Sequence, residues 1–290
     1  MIRKIKSLMR VLRALPQIGR QLERIENRLI FIQGNLEQDS KWVSLALTDL
    51  HSDMFALSRK WNDAGEYAVI TDHPVALSSD DHIYPHGTRQ DNTRYPRFVR
   101  KAEQIFGKKI STLDLGCSGG GLVLDFLTSG HDALGIEGSD YSAKWKRAEW
   151  ATIPSRLFTA DIAKPFTVLK QNKPEKFDLI TAWEVLEHIR EEDLPALLTN
   201  IRNHLADGGI FVGSVATVPD GDPVTGAVWH VTVKPREWWY ALVRQHGFEI
   251  ADGLFDTVDF PRGSGNPRAM DWNAATQPET GFHLCIRPTR

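Results

Sequence analysis

From residue 110 onward the sequence alternates short apolar runs with amphipathic stretches, and this alternation constrains the fold more than any other feature. Apolar runs at 110–115, 132–137, 156–159, 177–182, 210–215, 247–254 and 281–287 read as strands. Amphipathic stretches at 120–129, 140–151, 193–205 and 235–246 read as helices between them. Parallel strands need a crossover between them, and a helix supplies it, so the pattern predicts a mainly parallel sheet covered on both faces. Gly130 and Gly247 are expected to stop helices, Asp207-Gly208-Gly209 to form a turn, and Pro235 to sit first in its helix. The run at 281–287 follows a long connection and is expected to return antiparallel.

In open sheets of this kind ligands bind beyond the carboxyl ends of the strands, where the strand order reverses. The residues just after each strand therefore carry the information. After the first comes Leu113-Asp114-Leu115-Gly116-Cys117-Ser118-Gly119-Gly120-Gly121, whose glycines permit a tight turn and close approach to a ligand at a helix N-terminus. After the second, 23 residues past Asp114, comes Glu137, placed to accept bonds from ribose hydroxyls. After the third come Asp161, an acceptor for an exocyclic amine, and Ile162, an apolar wall. The spacing G-x-G-x-x-G is absent from the glycine loop, which weighs against a dinucleotide oxidoreductase.

Four segments in this order, Leu113–Gly120, Gly135-Ile136-Glu137-Gly138-Ser139, Ala160-Asp161-Ile162 and Phe177-Asp178-Leu179-Ile180, resemble the class I S-adenosylmethionine (SAM)-dependent methyltransferases. The resemblance runs over roughly residues 105 to 255, about half the chain. It implies a Rossmann-like sheet with helices on both faces and SAM as cofactor. By the same resemblance Gly116 and Gly120 cradle the methionine part, Glu137 holds the ribose and Asp161 meets the adenine amine. Asp114, Cys117, Ser118, Ile162 and Trp183 complete the expected cofactor contacts. Ser118 stands where the family's glycine triplet has its middle glycine, so a negative φ is expected there, with the hydroxyl turned to the cofactor.

Methyl transfer from a sulfonium is an in-line displacement, and an alcohol acceptor also needs its proton removed by a base or its pKa lowered by a metal. Adenine and amide N-methyltransferases of this fold usually carry an Asn/Asp-Pro-Pro-Tyr-like run after the fourth strand. Here that place reads Ala182-Trp183-Glu184-Val185-Leu186-Glu187-His188, which argues against that subclass. Glu184, Glu187 and His188 fall at i, i+3 and i+4 and would share one face of a helix. The Glu-x-x-Glu-His pattern is similar to that of ubiquinone-pathway O-methyltransferases and small-RNA 2′-O-methyltransferases. In those relatives it holds a divalent ion, and the RNA enzymes add a downstream His, a part open to His230. Two readings follow: Mg²⁺ or Mn²⁺ bound by Glu184, Glu187, His188 and His230, or a metal-free site in which His188 is a base or a cap.

Residues 80–93 are polar and precede the sheet. His86, Thr88 and Asn92 are candidates for a lid over the cofactor, with a plain surface loop as the alternative. Trp229, Trp238, Trp239 and Tyr240 cluster after the fifth strand; one of Trp238 and Trp239 is expected in the core and the rest can face a sugar ring. Residues 255–279, rich in Gly, Pro and Asn and carrying Arg262 and Arg268, read as a substrate-side loop.

The N-terminal part reads differently. The whole chain carries a formal charge of -2, but its first 20 residues hold six Lys and Arg and no acid, leaving -8 on the remainder. Ile2, Ile5, Leu8, Met9, Leu12 and Leu15 recur at helical spacing among those cations, as in a helix lying on an anionic bilayer; a solvated coiled-coil end is the alternative. Ile18, Leu22, Ile25, Leu29, Ile32 and Leu36 then alternate spacings of four and three, a heptad seam that predicts self-association, with a long helix folded back onto the catalytic domain as the alternative. The expected organisation is a basic helix and coiled coil at 1–60, a linker and lid at 61–104, and the catalytic domain at 105–290. With 41% hydrophobic and 25% charged residues the chain is globular rather than disordered, and two cysteines exclude a disulfide framework and suit a reduced cytoplasmic setting, peripheral to the inner membrane face if the basic helix binds there. The acidic remainder lacks a basic stripe, so no nucleic-acid partner is expected. The sequence thus points to a SAM-dependent methyltransferase acting on a hydroxyl of a sugar or glycan. The alternatives are a small-molecule methyltransferase of quinone-like or secondary-metabolite substrates, and a non-catalytic coiled-coil scaffold of the same fold.

Overall fold

A computed structural model describes residues 66–77, 80–83, 85–256 and 277–289, together with residues 40, 41, 44 and 61. The chain divides into two compact units, Met1–Leu57 and Ser58–Arg290. In the first, Ser40, Lys41 and Ser44 are helical. The basic segment 1–20, the heptad seam 18–36 and most of the loop expected at 255–279 lie outside the described residues.

The second unit holds ten described strands: β1 Tyr67–Thr71, β2 Ser111–Leu115, β3 Asp132–Glu137, β4 Leu157–Thr159, β5 Phe166–Lys170, β6 Lys173–Pro174, β7 Phe177–Trp183, β8 Leu205–Ala216, β9 Phe248–Ile250 and β10 Gly281–Pro288. Seven of them form a sheet in the order β4-β3-β2-β7-β8-β10-β9. The pairs β2–β3, β3–β4, β2–β7 and β7–β8 are parallel, and β10 lies antiparallel between β8 and β9. Four longer helices connect or flank these strands: α1 Pro96–Phe106, α2 Gly121–Thr128, α3 Leu194–His204 and α4 Arg236–Gln245. This is a Rossmann-like sheet, as the alternation of strands and helices predicts. Its strand order reverses between β2 and β7, which opens the crevice where such sheets bind ligands.

The core follows the apolar pattern. Leu113, Leu115, Leu134, Ile136, Phe177 and Ile180 join Leu197, Leu198 and Ile201 of α3 and Trp239 and Val243 of α4. Trp239 is fully buried while its neighbour Trp238 is partly exposed under the Lys234 ammonium, as expected of one member of that pair. Phe98 of α1 packs edge-on against Phe126 of α2 and Trp183 at the end of β7.

Four local expectations are corrected. The stretch 140–151 is a short helix, Tyr141–Trp145, and a separate 3-10 turn, Ala148–Ala151; Lys146 and Ala148 both take φ of 47° and break the helix. β8 starts at Leu205, and Asp207-Gly208-Gly209 is an irregularity inside it, with Gly208 at φ 76°. Strand 247–254 stops at Ile250 because Asp252–Leu254 coils into a 3-10 turn. Pro235 caps α4 from an extended conformation, one residue before its start. A second sheet, β1-β5-β6, was not foreseen; it places part of segment 61–104 in antiparallel register with Phe166–Lys170.

Segment 91–96 is fastened by Asp125 of α2. Its Oδ1 accepts from Arg94 Nε at 2.8 Å and its Oδ2 from the Tyr95 backbone N–H at 2.8 Å, at the start of α1. Asp125 and Tyr95 are both buried, so removing the carboxylate strands a buried donor. Asp125→Ala is expected to lower stability by about 1–3 kcal/mol, measured by denaturant unfolding monitored at the tryptophans.

Candidate active site

The carboxyl ends of β2, β3 and β7 and the segment after β4 surround a cavity of about 540 Å³. Gly116, Ser118, Glu137, Asp161, Ile162, Trp183, Glu184, His188 and His230, all singled out from the sequence, line it. Asp114, Cys117, Gly120 and Glu187 lie outside its wall.

The glycine loop shows why. Gly116 has φ 73°, and a Cβ there would meet Val185 Cγ2 at 2.4 Å, so only glycine lets the chain turn under the end of β7. Gly120 caps α2 at φ 86°, pressed against Leu157 behind the loop. Ser118 corrects the expectation of a negative φ: it stands at 46°. Its N–H donates to Glu137 Oε2 at 2.7 Å, and its carbonyl accepts from Trp150 Nε1 at 2.8 Å. Its hydroxyl donates to the Asp91 carbonyl at 2.8 Å and accepts from Arg147 at 2.8 Å, so it bonds within the protein rather than facing the cavity's contents. These bonds hold a non-glycine residue in the left-handed region.

Glu137 ends β3 and is buried. Besides Ser118 N–H, its carboxylate accepts the Ser139 N–H at 3.1 Å and the Thr88 hydroxyl at 3.2 Å. Burial pushes its pKa up, and the Ser139 and Ser118 amides pull it back. Thr88 comes from the segment expected as a lid, which also sends Asp81, His82, His86, Gly87, Gln90 and Asp91 to the cavity wall. Asn92 donates to Glu149 Oε1 at 3.2 Å instead. Asp161 lines the opposite side with Ile162, and its Oδ1 accepts the Ala163 N–H at 3.0 Å.

After β7 the chain does not continue as a helix, so Glu184, Glu187 and His188 do not share a helical face. Glu184 takes φ 52°, and a single 3-10 turn covers Leu186–His188. Glu184 and His188 face the cavity, whereas Glu187 is fully buried behind it, with Oε1 accepting the Ala216 N–H at 2.9 Å. Glu187, His188 and His230 nevertheless each offer a ligand atom within 4.8 Å of the others, and Glu184 is outside that group. His188 Nδ1 lies 3.4 Å from Asp81 Oδ2, and its ring meets that of His230 edge-on at 5.0 Å. Burial drives the imidazole pKa down to about 4; Asp81 opposes the shift and His230 adds to it. His230 Nδ1 sits 2.6 Å from the Val218 carbonyl. Across the cavity mouth His86 stacks on Trp229, ring centroids 4.0 Å apart.

Sequence reasoning missed Asp81, Asp220, Gln277 and Thr280 in the wall. Asp81 lay inside the segment marked as a lid, but nothing in its neighbours distinguished it. Gln277 lay inside 255–279, read as a substrate-side loop, without being singled out, and Asp220 and Thr280 arrive through stretches after β8 and before β10 that carry no motif.

Asp114 sits behind the glycine loop, buried, with the Thr181 hydroxyl donating to it at 2.6 Å. Burial and the Glu137 charge raise its pKa from 3.8 to about 7, against the Thr181 bond. The folded state thus holds this proton more tightly than the unfolded chain, so stability falls as pH rises from about 4 through 7. Asp114→Asn keeps the Thr181 bond without the charge. Its unfolding temperature is expected to gain on the parent more at pH 8 than at pH 5, measured by calorimetry.

Comparison with known proteins agrees with this geometry. A family model described as a methyltransferase domain matches residues 88–253. The chain is similar to two curated proteins named ubiquinone biosynthesis O-methyltransferase. With that of Psychrobacter cryohalolentis it is 28% identical over 77% of this chain and 79% of the relative. With that of Methylococcus capsulatus it is 29% identical over 39% of this chain, and the match spans less than half, 45%, of that relative's length. Among solved structures it resembles a SAM-dependent methyltransferase from Clostridium acetobutylicum (15% identity, TM-score 0.48, 72% of this chain and 97% of that one). It also resembles a TehB-like SAM-dependent methyltransferase from Corynebacterium glutamicum (17%, 0.44, 67% and 88%). The chain belongs to the methyltransferase-domain family and is a class I SAM-dependent methyltransferase.

Proposed function

We propose that this methyltransferase methylates a hydroxyl oxygen of an uncharged acceptor, a sugar residue of a glycan, with His188 as the base. The observation that carries the reading is the His188 imidazole in the wall of the cavity that also holds Glu137 and Asp161, where burial favours its neutral form. Bound SAM supplies an electrophilic methyl on a sulfonium. Gly116 and Ser118 shape the turn that receives its methionine part, Glu137 offers a free lone pair on Oε2 to ribose hydroxyls, and Asp161 and Ile162 face the adenine. His188 takes the hydroxyl proton as the oxygen attacks, and is then the imidazolium.

The wall also restricts the acceptor. Six carboxylates line it (Asp81, Asp91, Glu137, Asp161, Glu184 and Asp220), and among the described residues no Lys or Arg does. That field suits a cationic cofactor and disfavours a phosphorylated acceptor, which needs cationic partners. Asp220, Gln277, Thr280 and the Trp229 ring offer the polar edges and aromatic face that sugar rings use. The likeness to ubiquinone biosynthesis O-methyltransferases favours a second reading, in which the hydroxyl is that of a quinone-like phenol.

The trio Glu187, His188 and His230 is the place for Mg²⁺ or Mn²⁺, which would lower the pKa of a bound hydroxyl and take the imidazole out of use as a base. Two contacts orient the trio for such an ion: the Ala216 amide holds Glu187 Oε1, and the Val218 carbonyl at His230 Nδ1 fixes that ring and leaves Nε2 as its ligand atom. Full activity after EDTA treatment, with no metal by elemental analysis, supports the base; activity lost and restored by Mg²⁺ or Mn²⁺ supports the ion.

Glu137→Ala is expected to abolish SAM binding by calorimetry. His188→Gln is expected to lower kcat by about 100-fold or more while SAM binding persists. Because burial holds His188 neutral down to about pH 4, the acid limb of kcat/KM should fall near that pH rather than near the ordinary 6.5. Acceptors are screened by mass spectrometry over neutral glycan fragments, nucleotide sugars and dihydroxyphenols. Transfer to neutral glycans is expected; transfer only to phenols establishes the second reading, and efficient methylation of nucleotide sugars overturns the uncharged-acceptor reading.

A further inference from the structure

We infer that the turn around Trp145 is a docking surface for an anionic lipid bilayer, beside the mouth of the cavity. The short helix Tyr141–Trp145 follows β3, and it stops because Lys146 and Ala148 both take φ of 47°. Two tryptophans flank that break and have opposite fates. Trp150 is buried and donates from Nε1 to the Ser118 carbonyl at 2.8 Å. Trp145 is 71% exposed, between Lys144 and Lys146, which are exposed as well. Its ring lies 6.4 Å from that of Tyr141, and the exposed Arg89 places its guanidinium 5.7 Å from the centre of the Tyr141 ring. Arg147, the next cation along, is turned inward and donates to the Asp91 carbonyl at 2.7 Å and the Ser118 hydroxyl at 2.8 Å. One short stretch of surface thus joins two aromatic rings to the cations of Arg89, Lys144 and Lys146.

That combination suits a bilayer interface. An indole is a large apolar ring with one polar edge, and it rests at the level of the lipid headgroups while flanking Lys and Arg meet the phosphates. Each such cation near an anionic leaflet strengthens partition about fivefold. Asp140, on the same helix, pairs with Lys144 at 2.8 Å, but both side chains stand in water, so the pair is readily exchanged for lipid phosphate. The charge of the rest of the chain sharpens the choice of face. Outside its first 20 residues the chain carries -8, and six carboxylates line the cavity, so an anionic surface attracts this patch and repels its surroundings. A soluble acidic polysaccharide would meet the same cations, but it gives the indole less apolar surface to bury. Arg89 stands between Thr88 and Gln90, which both line the cavity. Docking therefore brings the cavity mouth to headgroup level, where an acceptor carried on a lipid is met. It does not depend on His188 or on which hydroxyl is methylated.

The test titrates the full chain with vesicles of equimolar phosphatidylcholine and phosphatidylglycerol, or of phosphatidylcholine alone, and measures partition by flotation. The parent protein is expected to float with the anionic vesicles and to stay behind with the neutral ones. Lys144→Gln combined with Lys146→Gln is expected to lower partition at least about tenfold, and Trp145→Gln to lower it as well. These three side chains lie outside the cavity wall, so the SAM Kd is expected to stay at the parent value, which reports an intact fold. The basic segment 1–20 is expected at the same kind of surface, so anionic vesicles with brominated acyl chains locate the contact. They are expected to quench the tryptophan fluorescence of the parent, and to quench Trp145→Gln clearly less at the same bound fraction. No flotation of the parent, equal partition to both kinds of vesicle, partition unchanged in the variants, or equal quenching of parent and Trp145→Gln overturns the docking surface. Retention on an immobilised acidic polysaccharide without vesicle binding gives the patch to that polymer and overturns the bilayer too.

Discussion

One buried charge organises the site. The Glu137 carboxylate stands at the end of a central strand with water excluded, and a lone ionised group there would cost far more than the fold can spare. It is tolerated because three donors converge on it, from the glycine loop, from its own turn and from the covering segment. Each donor constrains the part that supplies it. To aim its N–H at Glu137, Ser118 must enter the left-handed region, and the bonds from Trp150 and Arg147 and to Asp91 keep it there. The Thr88 hydroxyl draws the covering segment down onto the sheet. Asp114, close behind, meets the same dry surroundings with one hydroxyl for a partner, and its proton is held accordingly. The end of the sheet thus supplies donors enough for one carboxylate, the one placed to meet a ligand.

How much of this could be read in the sequence depends on how local its cause is. Strands β2, β3, β7 and β10 announce themselves because a buried strand needs a run of apolar residues, and nothing distant changes that. Glu137 and Asp161 are legible for a related reason: topology fixes the end of each strand as the place where a ligand meets the sheet. Gly116 declares a turn by its own backbone. The failures share the opposite cause. Glu184, Glu187 and His188 have helical spacing, yet Glu184 is turned aside at φ 52° and Glu187 is drawn inward to the Ala216 amide, a group from the end of β8. The φ of Ser118 is set by Glu137 and Trp150, neither of which is near it in the chain. The small sheet was legible in principle, since Phe166–Lys170 alternates buried and exposed positions along its first three residues, but its partner strand lies far ahead in the chain.

The cavity joins two demands that ordinarily conflict. A cationic cofactor is best received by negative charge, and six carboxylates in the wall provide it. A base that must accept a proton beside that cation gains from the same field, because each carboxylate stabilises the imidazolium it becomes. Burial works against the imidazolium and keeps the ring neutral before the reaction. The two effects need not cancel at every stage, since on the proposed reading charge moves during transfer: the positive charge leaves the sulfonium as it arrives on His188. The carboxylates then lose no favourable interaction in the step, provided one of them stands beside each end of the path.

That condition separates the roles of the wall residues by position rather than by chemistry. Glu137 and Asp161 are fastened by backbone amides at the end of the sheet, and Glu137 takes a third bond from Thr88 of the covering segment. Asp81 accepts the His86 amide of its own segment and lies 3.4 Å from His188. On the reading proposed above, a carboxylate thus stands near each end of the path, Glu137 and Asp161 toward the cofactor and Asp81 toward the base.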